Sequence, residues 1–286
     1  MHHLRTRRKP TYRSTICALA MLATQDIEEP YSKNLLTGAR QRAEALGYLF
    51  RLLAVEDSPS AGKALGRSLH YQGVEGVLIP PSVTTGDFRE FMNWRWFSVV
   101  AATYSVLAPE FHRVVPHQFG NALLLCQRLA KLGYRRIGLV LPSHQDLRVH
   151  HGFSAAVVWQ NTLGGTEFVR PLIHESFQPE LVRSWFASER PDVIIAGGPE
   201  QCRAIATALG VRIPGRIGFA ATACFQDLSY SGIHERPAEI GRAAIDLLHA
   251  KILNHEKGIP EVPTATMVKG LWNSGRTTRN QKRRRK

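Results

Sequence analysis

The feature that most constrains this chain is a repeated unit in which a short apolar run is followed by a polar loop and a helix-forming segment. Three of the helical segments end on a glycine, Gly47, Gly133 and Gly210, and another apolar run follows each of them. Glycine adopts the left-handed conformation that ends a helix at no steric cost, so these positions mark helix ends. Repeated strand–helix units predict a mostly parallel sheet with helices on both faces.

Apolar and helical segments alternate over almost the whole chain. The apolar runs predict strands at residues 16–22, 49–55, 76–79, 97–102, 136–141, 193–196, 216–219 and 264–271. Helical spacing predicts helices that begin near residues 31 and 59 and helices at 118–132, 149–161, 180–188, 200–209 and 237–253. The length of 286 residues and the two similar halves predict an α/β fold of two doubly wound parallel-sheet subdomains. Ligands of such sheets bind beyond the carboxyl ends of the strands, so a cleft between the subdomains is the expected binding site.

The positive charge of the chain is concentrated at its two ends. The net charge is +14, and residues 1–14 and 276–286 together hold twelve basic residues and no acidic one. The chain between these two segments is therefore close to neutral. Basic runs of this kind are typical of solvated segments that attract any polyanion. Residues 1–14 are expected to form a basic arm, and residues 274–286 a disordered basic tail.

Composition and motifs exclude several classes of protein. With 44% hydrophobic residues the chain is not disordered as a whole, and no apolar run reaches the roughly 20 residues of a membrane span. The four cysteines have neither C-x-x-C nor zinc-ligand spacing, which favours buried thiols in a reducing, cytoplasmic compartment. His144, His150 and His151 have no carboxylate or cysteine at a matching metal-ligand spacing. No nucleotide-binding loop, nucleophile elbow or H-E-x-x-H motif is present, so we expect no cofactor, no metal and no enzymatic activity.

Residues 16–23 allow two interpretations. They are apolar and follow a basic stretch, which is the layout of a secretory signal peptide. They also fit the first buried strand of the repeated pattern, and we favour the strand because the same succession of strand, loop and helix recurs along the chain. The signal-peptide interpretation leads to an alternative function, a periplasmic or secreted solute-binding protein for sugars. An enzyme on the same scaffold is a further alternative, but the sequence contains no catalytic motif that supports it.

Seven segments follow one another in an order and spacing that a known family shares. They are residues 29–48, 73–80, 132–138, 152–153, 190–196, 213–219 and 236–244. Together they resemble the effector-binding part of the lactose/galactose repressor family over residues 15 to 271. The resemblance implies a type I periplasmic-binding-protein fold that serves as the ligand-sensing domain of a sugar-responsive repressor. It also implies a small-molecule effector whose binding alters the DNA affinity of the intact protein, a homodimer, and no membrane partner.

The resemblance further implies how the chain divides. The first subdomain is expected to comprise residues 15–131 and 234–256, and the second residues 132–233 and 257–273. The helix-turn-helix of the family would occupy roughly 50–60 residues before the first strand, where this sequence has only a short basic arm. We therefore expect DNA contact only through a missing N-terminal reader, or non-specifically through the basic tails. Either the reader has been removed by truncation or this member never had one.

The resemblance places the ligand at positions where this sequence departs from the family pattern. The Asp-Asn pair of the family corresponds to His117 and Gln118, its sugar-clamping Arg to Val149 next to Arg148, and the two acids of its Gly-Phe-Asp-Asp motif to alanines from Ala220 on. These changes remove charged groups that pair with sugar hydroxyls, so the effector is expected to be less polar or to be held differently. A site that has decayed also fits. The candidate ligand-binding residues are Tyr31, Ser32, Thr103, Tyr104, His117, Gln118, Arg148, Gly198, Glu200, Ala220, Phe225 and Glu235.

Several of these candidates have structural alternatives. Tyr31 fits a cover over the first helix, His117 a histidine in a surface loop, and Arg148 a solvated side chain. Trp94 and Trp96 fit packing at the start of a strand better than a platform for stacking bases.

Overall fold

The structure is a computed structural model, and it describes residues 14–21, 30–55, 58–82, 86–163 and 165–281. The chain separates into unit 1, Met1–Val115 with Pro237–Thr266, and unit 2, Pro116–Arg236 with Met267–Lys286. Each unit contains one six-stranded sheet with helices packed on it. The predicted α/β fold of two doubly wound parallel-sheet subdomains is confirmed.

The elements follow one another as strands and helices in near-regular alternation. The strands are β1 (Ser14–Met21), β2 (Tyr48–Val55), β3 (Val74–Ile79), β4 (Gly86–Asp87), β5 (Ser98–Ala101), β6 (Val106–Ala108), β7 (His112–Pro116), β8 (Ile137–Pro142), β9 (Leu172–His174), β10 (Val193–Ala196), β11 (Gly218–Ala221), β12 (Ser231–His234), β13 (Ala265–Val268) and β14 (Leu271–Asn273). The helices are α1 (Pro30–Ala45), α2 (Pro59–Tyr71), α3 (Gln118–Lys131), α4 (Ser143–Arg148), α5 (Gly152–Thr162), α6 (Pro179–Glu189), α7 (Pro199–Leu209) and α8 (Pro237–Leu253).

The two sheets have related topologies. The strand order is β13-β7-β5-β3-β1-β2 in sheet 1 of unit 1 and β14-β12-β11-β10-β8-β9 in sheet 2 of unit 2. Neighbours such as β1 and β2 or β10 and β11 run parallel, whereas β14 runs antiparallel to β12. The short strands β4 and β6 pair with each other. Parallel order places the carboxyl ends of the main strands along one edge of each sheet.

Residues 16–21 form a strand, as the strand interpretation requires. β1 pairs in parallel with β2 on one side and with β3 on the other. Ile16 is fully buried in the sheet. The first apolar run is thus an interior strand of sheet 1, as predicted.

Unit 1 is held together by an aromatic cluster and by two closely packed helices. Trp94 is buried against Phe91 and Phe111, and its Nε1 donates to the Phe88 carbonyl at 2.8 Å, which confirms the packing role predicted for it. Where α1 and α8 cross, a Cβ on Gly241 would lie 2.0 Å from the Leu35 carbonyl oxygen. Only glycine permits this approach of the two helix backbones.

Helix ends follow the local signals in the sequence. Gly47, Gly133 and Gly210 have φ angles of 84°, 93° and 65°, which is the left-handed conformation predicted for them. At the other end of a helix, the Ser58 side chain accepts from the Ala61 N–H at 3.2 Å and Pro59 is the first residue of α2. Serine at this position satisfies an N–H that the helix leaves unpaired.

The predicted helix at 149–161 is wrong in its first part. The structure has α4 and α5 instead, separated by His150 and His151 with φ angles of 53° and 60°. The buried Asp146 carboxylate causes the break, because it accepts from the Ser154 N–H at 3.1 Å and from the Ser154 hydroxyl at 2.6 Å. A side chain from α4 thus caps α5, which fixes the turn between them.

The predicted strands differ from the observed ones at two places. The last strand, predicted at 264–271, is two strands in different sheets, because the chain passes from unit 1 to unit 2 between Thr266 and Met267. The strand predicted at 216–219 begins at Gly218, where pairing with Val193 starts. Five short strands were not predicted, because each is only two to five residues long and most carry polar residues: β4, β6, β7, β9 and β12.

The chain crosses between the units at other residues than expected. The first crossing lies between Val115 and Pro116 rather than after residue 131, since α3 packs on α5 in unit 2. In that packing a Cβ on Gly152 would lie 3.4 Å from the Phe119 nitrogen. The later crossings follow Arg236 and Thr266 rather than residues 233 and 256.

The disordered tail predicted from residue 274 is wrong for residues 274–281. Thr277 is 5% exposed, and its hydroxyl donates to the Phe219 carbonyl at 2.6 Å. Hydrogen bonds to β11 and β12 therefore hold this segment on unit 2. Residues 282–286, and all but Ser14 of the predicted basic arm, lie outside the described residues.

Three of the four thiols are buried, as predicted. Burial raises the pKa of Cys126, Cys202 and Cys224 to about 12, so these thiols stay protonated and unreactive at neutral pH. The side chain of Cys17 is not among the described ones. None of the helices in the described ranges has the length and apolar character needed to span a bilayer.

Candidate functional site

The carboxyl edge of sheet 2 collects most of the polar residues predicted to bind a ligand. β8, β10, β11 and β12 end there, and the segments that follow them carry Arg148, Gly198, Glu200, Phe225 and Glu235. His117 and Gln118 follow β7 of sheet 1 instead, and a hydrogen bond joins Gln118 to Glu235 at this edge. Parallel α/β sheets bind ligands at this edge. The residues of unit 2 that we predicted are His117, Gln118, Arg148, Gly198, Glu200, Ala220, Phe225 and Glu235.

Gln118 and Glu235 form the central pair of this edge. Glu235 directly follows β12 and is 5% exposed, and Gln118 is the first residue of α3. The Gln118 Nε2 donates to the Glu235 Oε1 at 2.6 Å. The Gln118 Oε1 is buried and accepts no hydrogen bond from any described residue. A buried acceptor without a donor is costly, so this oxygen is a good point for a ligand donor.

Asn121 adds a buried donor one helical turn further along α3. Its Oδ1 accepts from the Gly270 N–H at 2.8 Å, which fixes the orientation of the amide. Its Nδ2 is buried without an acceptor among the described residues. The sequence analysis missed Asn121, although its spacing of three residues from Gln118 places both side chains on one face of a helix.

His117 positions the start of α3. The imidazole Nδ1 accepts from the Gly120 N–H at 2.9 Å, and the backbone N–H of His117 donates to the Val268 carbonyl at 2.9 Å. A neutral imidazole that accepts at Nδ1 carries its proton on Nε2. His117 is thus the cap of a helix rather than the free loop histidine of the structural alternative, and it holds Gln118 in place.

Phe225 gives the edge an apolar side. Its ring lies edge-on to the His234 ring, with centroids 6.1 Å apart, and it is partly exposed. The His234 Nδ1 accepts from the Arg236 N–H at 3.1 Å, so this ring is fixed as well. Aromatic side chains together with a few fixed polar groups are the usual lining of a site for a small ligand.

Hydrogen bonds between backbone groups and polar side chains fix the loop after β10. The Gly197 N–H donates to the Gln201 Oε1 at 2.8 Å, and the Thr222 hydroxyl donates to the Gly197 carbonyl at 2.9 Å. Gly198 precedes α7, and Glu200 is exposed in its first turn. Ala220, by contrast, is 0% exposed inside β11, so it does not join the other residues at the edge.

Arg148 and the neighbouring histidines lie at the end of α4. Arg148 is the last residue of this helix and is partly exposed. The His151 Nδ1 lies 3.1 Å from the Asp146 carboxylate, whose other bonds cap α5. Within the described part of the chain, no group of three or more potential ligands could hold a metal ion.

The four candidates of unit 1 lie at the carboxyl edge of sheet 1. Tyr31 and Ser32 are in the first turn of α1, and Thr103 and Tyr104 follow β5. The Thr103 hydroxyl accepts from the Ser105 N–H at 2.8 Å, so its oxygen already supports the loop. Ligand contact by these residues stays a prediction.

A family model describing a periplasmic binding protein-like domain matches residues 126–270. The chain belongs to this periplasmic binding protein-like family. The predicted resemblance to the effector-binding part of the lactose/galactose repressors is confirmed by the match and by the fold.

Known regulators are similar to this periplasmic binding protein-like chain. The HTH-type transcriptional repressor PurR of Mannheimia succiniciproducens is 22% identical over 260 residues, which cover 85% of this chain and 77% of the repressor. The structure of the transcriptional regulator CelR in complex with cellobiose superimposes with a TM-score of 0.66 and 18% identity, over 93% of this chain and 86% of CelR. The LacI family regulator CCPA of Weissella paramesenteroides with bound glucose gives a TM-score of 0.65 and 12% identity, over 94% of this chain and 99% of that one.

Proposed function

We propose that this chain is the ligand-sensing part of a repressor-type transcriptional regulator. Its effector, a sugar or sugar derivative, binds at the carboxyl edge of sheet 2 and changes the DNA affinity of the intact regulator. The similarity to the repressor PurR supports regulation as the function. The similarity to regulators with bound cellobiose and bound glucose supports a carbohydrate as the effector.

The Gln118–Glu235 pair is the observation that supports effector binding at this edge of sheet 2. The Gln118–Glu235 pair is part-buried and joined by a hydrogen bond of 2.6 Å from the Gln118 Nε2, and the buried Gln118 Oε1 has no donor among the described residues. The Asn121 Nδ2 supplies the complementary donor on the same helix face. A hydroxyl group both donates and accepts, so it satisfies an amide oxygen and an amide nitrogen at once.

The same arrangement explains how a sugar is held without the charged groups that this sequence lacks. Glu235 offers a carboxylate to ligand hydroxyls, and hydrogen bonds to a charged group are stronger than those between neutral groups. Phe225 offers an apolar surface for the C–H face of a ring. Neutral amides, one carboxylate and one aromatic ring thus replace the family's Arg and Asp.

Binding is coupled to DNA affinity through a shift between conformations. An effector that interacts more strongly with one conformation increases its population, and by linkage it changes the affinity for any DNA that prefers one of them. In this proposal the intact regulator is a cytoplasmic homodimer. Contact with operator DNA belongs to a reader domain.

A thermal-unfolding screen of sugars, sugar acids and oligosaccharides tests the proposal. An effector present at 100 times its Kd stabilises the native state by about 2.7 kcal/mol, which raises the melting temperature by several degrees. Glu235→Gln and Gln118→Ala are expected to abolish most of this rise, each compared with its own melting temperature without ligand. Gln178→Ala, an exposed amide in the same unit, is the matched control and keeps the full rise. A hit that stabilises both site variants as much as the control would place the effector elsewhere.

A further inference from the structure

The C-terminal segment 276–281 is attached to the amino end of sheet 2. The Phe219 N–H donates to the Thr277 carbonyl at 3.0 Å, and the Thr277 hydroxyl donates to the Phe219 carbonyl at 2.6 Å. The Ser231 N–H donates to the same hydroxyl at 2.9 Å. Thr277 therefore bonds to both β11 and β12, near the residues where these strands begin.

The segment then runs past the turn between α3 and β8. The Arg279 N–H donates to the Tyr134 hydroxyl at 3.0 Å, and the Gln281 N–H donates to the Leu132 carbonyl at 2.7 Å. These bonds bring Arg279 next to a turn that itself carries basic residues, whereas the Arg276 N–H donates to the Ser229 carbonyl at 2.6 Å, just before β12.

Five exposed basic side chains lie in this region of unit 2. A Cβ on Gly218 would lie 2.5 Å from the Tyr134 hydroxyl, so Arg216, two residues before β11, belongs to the same region. We call the set the basic edge, and it consists of Lys131, Arg135, Arg216, Arg276 and Arg279.

Local acids do not neutralise the basic edge. None of its five side chains forms an ion pair with a carboxylate of the described residues. The Asp192 carboxylate accepts from the backbone N–H groups of Arg135 and Arg136, and Glu167 pairs with the Arg136 side chain. The five exposed cations of the basic edge are therefore available to an anionic ligand.

More positive charge is attached directly to the basic edge. The sequence continues from Gln281 with five consecutive basic residues at 282–286.

We propose that the basic edge binds the phosphate backbone of nucleic acid without regard to base sequence. Arginine presents a planar fork of donors that matches a phosphate, and four of the five residues are arginine. A membrane surface fits less well, because anchoring at a bilayer also uses aliphatic or aromatic side chains and residues 276–281 contain neither. The basic edge shares no residue with the proposed effector site and lies at the other end of the strands.

Fluorescence anisotropy with a labelled DNA duplex of arbitrary sequence tests this proposal on the 286-residue chain. Affinity is measured at several salt concentrations, because each phosphate contact contributes about 0.9 to the slope of log K against log salt. Arg135→Ala with Arg279→Ala is expected to weaken binding and to lower the magnitude of the slope by about 2. The matched control is Lys63→Ala with Arg67→Ala, which removes the same charge from exposed positions of α2 in unit 1.

Three outcomes would overturn the proposal. In the first, the Arg135→Ala/Arg279→Ala variant and the Lys63→Ala/Arg67→Ala control bind DNA with equal affinity. In the second, removal of residues 282–286 abolishes DNA binding, whereas the Arg135→Ala/Arg279→Ala variant still binds. Binding to vesicles that contain phosphatidylserine, with no binding to DNA, would identify a membrane surface instead. Effector-induced stabilisation is measured on the same variants and is expected to be unchanged, so failure here is separable from failure of the proposed function.

Discussion

His112 in β7 fastens the segment that leads into β13. Its Nδ1 accepts from the Thr264 N–H at 3.2 Å and lies 2.8 Å from the Thr264 hydroxyl. Its Nε2 is 3.8 Å from the Glu256 carboxylate, which Lys251 binds at 2.6 Å. Because an N–H group points at Nδ1, the neutral ring fits this place and the protonated ring does not.

The titration of His112 makes stability depend on pH. Burial, and next the charge of Lys251, lower the pKa of His112 below its ordinary value near 6.5, while Glu256 acts weakly in the other direction. Well above pH 6.5 the ring is neutral in the folded and the unfolded protein, and its contribution to the free energy of unfolding is complete. As the pH falls below 6.5 towards the pKa of the folded state, the unfolded chain takes up the proton first, so stability is lost.

Denaturant unfolding of the wild type and of His112→Gln between pH 7.5 and 5 measures this effect. The wild type is expected to lose more unfolding free energy than the variant, whose amide does not titrate. Burial and His144 also lower the pKa of His174, but that residue contributes equally to both proteins, and the difference isolates His112. Parallel losses in the two proteins would contradict the assignment.

Single residues of the site were predictable only where a family pattern or a strand end pointed to them. Gln118 and Glu235 were both named from sequence, yet their bond joins residues far apart in the chain and no local pattern reveals it. Asn121 was missed because it is buried within a helix and resembles an ordinary core position. Thr103 and His117 were named as ligand residues, but their bonds to Ser105 and Gly120 support the backbone.

The close packing of helices α1 and α8 requires a residue without a side chain at two positions, Gly38 and Gly241. A Cβ on Gly241 would lie 2.0 Å from the Leu35 carbonyl oxygen, and one on Gly38 would lie 2.1 Å from that of Ala238. Real Cβ atoms do not approach backbone atoms so closely, so any larger residue pushes the two helices apart.

Gly241→Ala is therefore expected to destabilise unit 1 by about 1–3 kcal/mol, the usual range for overpacking, although alanine is the better helix former. Gly66→Ala is the matched control, since it is also a glycine inside a helix but meets the side chain of Met92 at 3.0 Å rather than a backbone. The control is expected to change stability by less than about 1 kcal/mol, close to the gain in helix propensity. Equal effects of the two substitutions on the denaturation midpoint would contradict this explanation.

Elements were predictable where short-range signals decide them. The helix predicted at 237–253 has the observed bounds, because an apolar stripe begins at a proline and runs without interruption. The break between α4 and α5 was missed, since it depends on the Asp146 carboxylate reaching Ser154. The division of the last strand between two sheets was missed too, because the apolar pattern of 264–271 is continuous and only the tertiary fold assigns its two parts.

For the whole molecule, the distribution of charge and the division into units are the features that local patterns describe least well. The basic residues at the C-terminal end were expected to form a disordered tail, whereas Thr277 and Arg279 are bonded to unit 2. The first crossing between the units was expected after α3, but this helix packs against α5. In both cases the deciding contacts join segments that are distant in the sequence.

The assembly of the molecule also stays a prediction, and the mass in solution tests it. The resemblance to the lactose/galactose repressors implies a homodimer. Exposed apolar side chains such as Trp159 on α5 and Leu163 directly after this helix are of the kind that interfaces bury. Light scattering coupled to size exclusion is expected to give twice the chain mass of 32.0 kDa. Because association follows mass action, the measurement is repeated over about a hundredfold range of concentration. A mass of one chain throughout would contradict the dimer, and the effector would then have to act within a single chain.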